Sequence, residues 1–153
     1  MGDDLLPDFN LPSSEGQNIR ISDYRGARNL IVILADDPDS ESCLLFLTGL
    51  AQHYDEFAQE DTEVLTIVHG SVHEAGQIKR KLDLPFPVLA DQDARAYRAA
   101  GALTSDGRPA LTIYITDRYN EIQWAYQTDA GDEPPTLKEM LEHVRYLEIR
   151  CPE

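Results

Sequence analysis

The chain has 153 residues, enough for one domain with a substantial core and too few for two ordinary ones, so residues 1–153 are read as a single domain. Its 28 Asp and Glu against 13 Lys and Arg give a formal charge of −15, which argues against nucleic acid and against an anionic membrane surface as partners. No apolar run reaches membrane-spanning length, the opening residues lack the features of a signal peptide, and two cysteines make no disulfide scaffold, so a soluble cytoplasmic chain with reduced thiols is expected.

Residues 7–12 form an extended segment punctuated by Pro7 and Pro12. A turn at 13–17 and an alternating stretch at 18–22 complete an N-terminal hairpin. Residues 30–35 are apolar, largely β-branched and uninterrupted, which suits a strand buried on both faces. The acidic, turn-rich residues 36–42 follow. Apolar side chains then recur at Cys43, Leu47, Leu50, Ala51, Tyr54, Phe57 and Ala58, the spacing of one helix face. A second buried strand is expected at 63–68, a polar helix at 72–82, an extended segment at 84–90 and a short helix at 94–100. Two strands at 110–116 and 121–127 are joined by a tight turn at 117–120. The last helix opens at Pro135 or Thr136 and runs to about Ile149, with Leu137, Met140, Leu141, Val144 and Leu147 on one face. Strands alternating with helices, then an antiparallel pair and a closing helix, predict an α/β fold: a mixed central sheet covered on both faces, laid out as in the thioredoxin-like fold.

Cys43 is the residue with chemical promise. If Asp39 or Ser40 caps its helix, Cys43 stands in the first turn, where backbone N–H groups without intrahelical acceptors favour a thiolate. The plainer reading of the same residue is a small core side chain. A local dithiol site is excluded, because Ser40 and Phe46 occupy the positions where a Cys-x-x-Cys partner would stand. His69 and His73 have metal-pair spacing but straddle a turn and lack a third ligand, so no metal or cofactor is assigned. His53 and His143 fall on helices at solvated or boundary positions, and Trp124 with the nearby tyrosines reads as sheet packing.

Several segments together resemble the peroxiredoxin group, the alkyl hydroperoxide reductase and thiol-specific antioxidant family. Pro7-Asp8-Phe9-Asn10-Leu11-Pro12 is similar to the family's opening, and Ser22-Asp23-Tyr24-Arg25-Gly26 to the run before its central strand. Residues 84–91 and 97–102 resemble two later family segments. The resemblance implies a thioredoxin-like fold and a thiol-dependent peroxidase, with Cys43 as nucleophile and Ser40 as hydroxyl donor to substrate oxygen. It also implies a peroxide substrate, an external thiol reductant and a homodimer as an open assembly. Cys151 is the candidate resolving thiol, with a frayed terminal cysteine as the competing reading. The family's active-site proline falls on Asp36 and its arginine on Leu111, which leaves Arg108 as the candidate activator. Pro109, expected to open the late strand near the Cys43 turn, is a candidate for a cis peptide bond.

The turn's charge opposes that chemistry. Asp36, Asp37, Asp39 and Glu41 crowd Cys43, and one carboxylate at about 6 Å costs a thiolate roughly 2–3 kcal/mol at an effective dielectric near 20. A helix terminus returns about 0.3–1 kcal/mol. A redox-sensitive binding module of weak or no activity is therefore the alternative to a peroxidase. The peroxidase reading expects Cys43 in the first helical turn with its sulfur partly exposed or in a shallow pocket.

Overall fold

The computed structural model describes residues 5–37, 40–128 and 133–150. The N-terminal hairpin pairs β1 (Asn10–Pro12) with β2 (Asn18–Arg20), and a 3-10 turn at Ile21–Tyr24 leads to the central strand β3 (Asn29–Leu34). Helices α1 (Glu41–Gln52) and α2 (Tyr54–Gln59) follow, then β4 (Thr62–Val68), α3 (Val72–Leu82), β5 (Val88–Ala90) and α4 (Arg95–Ala100). The chain closes with β6 (Thr112–Thr116), β7 (Ile122–Gln127) and α5 (Leu137–Arg150). The main sheet has the order β5-β4-β3-β6-β7, with β3, β4 and β5 parallel and β6 and β7 antiparallel. This is the mixed sheet with N-terminal hairpin that the sequence pattern implied.

Period-two alternation explains how one strand supports both faces. From β3, Ile31 and Ile33, with Ala35 beyond, pack with Cys43, Leu47 and Leu50 of α1, Phe57 of α2, Ile78 of α3 and Val144 of α5. Leu30, Val32 and Leu34 face the other way, onto Phe9, Leu11, Ile21 and the α4 residues Ala96 and Tyr97. All six residues of β3 are buried, so its continuous apolar run is required on both faces. Each buried aliphatic side chain contributes about 1.5–3 kcal/mol relative to exposure. Introducing a charge anywhere from Leu30 to Leu34 would break one layer or the other.

Local chemistry fixes the helix ends. Ser71 and Glu74 close α3 with a reciprocal capping box, and Thr136 and Glu139 do the same ahead of α5. The helix expected to continue from Cys43 to Ala58 instead breaks at His53, where φ −113° and ψ 15° leave the helical register. The His53 N–H turns to the Leu50 and Ala51 carbonyls, and its Nδ1 lies 2.6 Å from Glu56 Oε2. Apolar spacing runs unbroken across this point, which is why periodicity does not reveal the break.

Candidate active site

The site lies at the carboxyl end of β3, where the strand gives way to α1. Ser40 is the N-cap: its hydroxyl accepts from the Cys43 N–H at 3.3 Å and lies 2.9 Å from the Ser42 hydroxyl. An N-cap of this kind is worth about 1 kcal/mol to the helix. Cys43 thus stands in the first turn, at the position expected of it. Its exposure differs from expectation. The residue is 1% exposed and packs with Leu47, Leu50, Ala35 and Leu111, because the helix points that turn into the sheet rather than along the surface.

Burial and two carboxylates set the ionisation of the thiol. Loss of water is the largest influence, followed by the charge of Asp36, a hydrogen bond from the thiol to the Asp36 carboxylate, and the charge of Asp37. Together they push the Cys43 pKa up to about 12. The Asp36 backbone N–H acts in the opposite direction, toward the thiolate, and is outweighed. The resting sulfur is a protonated thiol at neutral pH.

A cleft of about 540 Å³ opens beside this turn, bordered by Asp36, Asp37, His69, Thr104, Arg108, Pro109, Leu111 and Thr128. Asp36 acts on the buried thiol and also borders the cleft. Its Oδ1 is enclosed, and no backbone or hydroxyl group reaches it. Tyr97 steadies the strand end from the opposite face, its hydroxyl shared between the carbonyls of Ala35 at 2.6 Å and Ile67 at 3.0 Å. Sequence reasoning did not single out Tyr97. The only signal available was its place in a family-like segment.

Arg108 borders the same cleft but turns to solvent. Its side chain is 77% exposed and its guanidinium lies 3.4 Å from Asp106. The cause is a tight loop in which the Gly107 N–H reaches the Thr104 carbonyl with φ +82° at Gly107, while the Thr104 N–H donates to the Arg108 carbonyl and the Arg108 N–H to Thr104 Oγ1. Leu111, at the position of the family's arginine, is buried with Cys43. Pro109 also borders the cleft, in a bridge with Leu103, and β6 begins only at Thr112. The cis bond considered for Pro109 is not present: every described peptide is trans. Cys151 lies outside the described residues.

The histidines resolve individually. His69 is exposed on the cleft's rim, its ring edge-on to Tyr97 at 5.9 Å. His143 is half-buried, stacked on Trp124 at 3.8 Å with Nε2 3.0 Å from the Tyr126 hydroxyl, and burial lowers its pKa. The aromatic group around Trp124 is sheet-to-helix packing, as its spacing suggested. Among the described residues no helix is long and apolar enough to cross a membrane.

The model of the AhpC/TSA family matches residues 3–125. A putative peroxiredoxin bcp of Coxiella burnetii is 26% identical over 102 residues, covering 67% of this chain and 67% of that protein. Peroxiredoxin Bcp of Escherichia coli is 27% identical over 90 residues, covering 59% of this chain and 57% of that protein. The chain thus aligns with 67% and 57% of the length of these two curated relatives. In structure, peroxidoxin BcpB from Mycobacterium tuberculosis superposes with a TM-score of 0.80 at 17% identity, over 94% of this chain and 95% of that one. That likeness bears out the thioredoxin-like fold.

Proposed function

This chain belongs to the AhpC/TSA family, and from that premise we propose that it is a thiol-dependent peroxidase with Cys43 as its nucleophile. The observation that carries the reading is a cysteine in the first turn of the helix that follows the central strand, capped by Ser40 and set beside a cleft. The Cys43 sulfur attacks the terminal peroxide oxygen, the O–O bond breaks, and sulfenic acid forms with release of an alcohol or water. An external thiol then displaces the sulfenic oxygen as water, and a second thiol frees Cys43 from the mixed disulfide. Cys151 is the alternative resolving thiol: it would displace the sulfenic oxygen as water, within the chain or across a homodimer, and external thiols would then reduce its disulfide with Cys43. The single domain of residues 1–153 and a cytoplasmic setting belong to the same reading.

With the sulfur 1% exposed, this reading requires the first turn of α1 to open toward the neighbouring cleft before peroxide can reach it. The test is peroxide consumption driven by dithiothreitol, with hydrogen peroxide and cumene hydroperoxide as substrates at neutral pH. Turnover abolished by Cys43→Ser and retained by Cys151→Ser supports the proposal. Turnover unaffected by Cys43→Ser, or none in the unmodified protein, refutes it.

A further inference from the structure

We propose that Asp36 is a catalytic residue of this peroxidase: it takes the thiol proton as the Cys43 sulfur attacks the peroxide and delivers that proton to the departing oxygen. The proposal rests on the peroxidase reading above and adds to it the path of the proton. In the step, an S–O bond forms and the O–O bond breaks, and sulfur is oxidised while the peroxide oxygens are reduced. The proton leaves sulfur for the Asp36 carboxylate and ends on the alcohol or water, so the carboxylate is regenerated.

Three observations converge on this residue. The thiol meets the Asp36 carboxylate, which lies within its hydrogen-bonding reach. The same side chain borders the cleft, so one carboxylate spans the buried sulfur and the space open to substrate. Its Oδ1 is enclosed without a backbone or hydroxyl donor, a situation unfavourable for a buried acceptor. The buried carboxylates of Asp91 and Asp117 differ in this respect, each accepting from backbone N–H groups.

Acidity explains why a carboxylate can serve a thiol that is reluctant to ionise. Burial and the neighbouring carboxylates hold the thiol protonated at neutral pH, so a route through free thiolate is disfavoured. As sulfur commits its lone pair to oxygen, its proton becomes strongly acidic, and a carboxylate in contact accepts it in the same step. The leaving oxygen needs that proton, since water itself has a pKa near 15.7. The charged and titratable groups around the pair are Asp37 on the same turn, Tyr97 from α4, and His69 and Arg108 across the cleft.

Alkylation separates a proton shuttle from plain repulsion, because iodoacetamide needs thiolate but its iodide leaves without a proton. The experiment compares Cys151→Ser protein with Asp36→Asn in the same background, and with Asp36→Ala should the asparagine variant fold poorly. Single-turnover oxidation by hydrogen peroxide and alkylation by iodoacetamide are followed from pH 5 to 10. Removing the carboxylate is expected to slow peroxide oxidation by about tenfold or more while speeding alkylation. The peroxide rate of the parent protein is also expected not to climb in parallel with its alkylation rate as pH rises. If both reactions accelerate in the variants, Asp36 only repels the thiolate and the inference fails. Parallel pH profiles in the parent overturn it equally. A parent protein that peroxide never oxidises instead defeats the peroxidase reading, and this inference with it.

Discussion

Asp36 follows β3 and Asp91 follows β5, both at carboxyl ends of parallel strands and both ahead of a helix. Asp91 is 2% exposed and accepts from the backbone N–H groups of Arg95, Ala96 and Tyr97 at 3.0, 2.9 and 3.1 Å. Its oxygens are saturated by the first turn of α4. At the other strand end the cap is Ser40, so Asp36 receives no such donors and meets the Cys43 thiol instead. The same side chain is structural where the backbone surrounds it and chemically available where a serine has taken over the capping.

The largest effect expected from this contrast is on stability. Asp91→Ala takes the acceptor from three N–H groups, two of them buried, and charge-assisted bonds are worth about 1.5–3 kcal/mol each, so a loss of about 3 kcal/mol or more is expected in urea unfolding. Asp36→Asn should fall within about 1 kcal/mol of the parent. Equal losses would break the comparison. A smaller effect should appear at alkaline pH. Well below the ordinary cysteine value of about 8.5, folded and unfolded chains both keep the Cys43 proton, and this contribution to stability is whole. Between 9 and about 12 only the unfolded chain releases it, so stability falls by a few kcal/mol as pH rises. Tyr97, also raised mainly by burial, adds to the slope, and Cys43→Ser should make it shallower without abolishing it. An unchanged slope in Cys43→Ser would show that the thiol is not held as described. The smallest change is expected from Tyr97→Phe, which frees the Ala35 and Ile67 carbonyls for about 1 kcal/mol in the same unfolding assay. A loss several times larger would assign Tyr97 a greater share in holding the β3 end than two shared carbonyls explain.

Much of this arrangement was legible because it is written in local pattern. The uninterrupted run of β3, the alternation that feeds two core layers, and the Ser71–Glu74 and Thr136–Glu139 boxes depend on residues close in sequence. The place of Cys43 in a first helical turn was legible for the same reason, through the cap at Ser40. What escaped depends on distant segments. The sulfur is buried in a core that draws in residues as distant as Leu111, nearly seventy positions away, and no spacing near Cys43 records that. Arg108 turns outward because of a loop closed by Thr104 and Gly107, and a residue count from β6 cannot see it. The acidic character of the turn was plain, but four carboxylates weighed equally concealed the dominance of Asp36. Glu41 faces solvent and Asp39 lies outside the described residues.

The central claim is that Cys43 rests as a thiol held protonated by burial and by Asp36. The most direct measurement is the pH dependence of iodoacetamide alkylation on folded Cys151→Ser protein, with mass spectrometry confirming Cys43 as the site. The rate should still be rising at pH 10, with its midpoint above the ordinary cysteine value of about 8.5, and the midpoint should fall in Asp36→Asn. A midpoint below 7 in the parent, or one that Asp36→Asn leaves unmoved, would contradict the account.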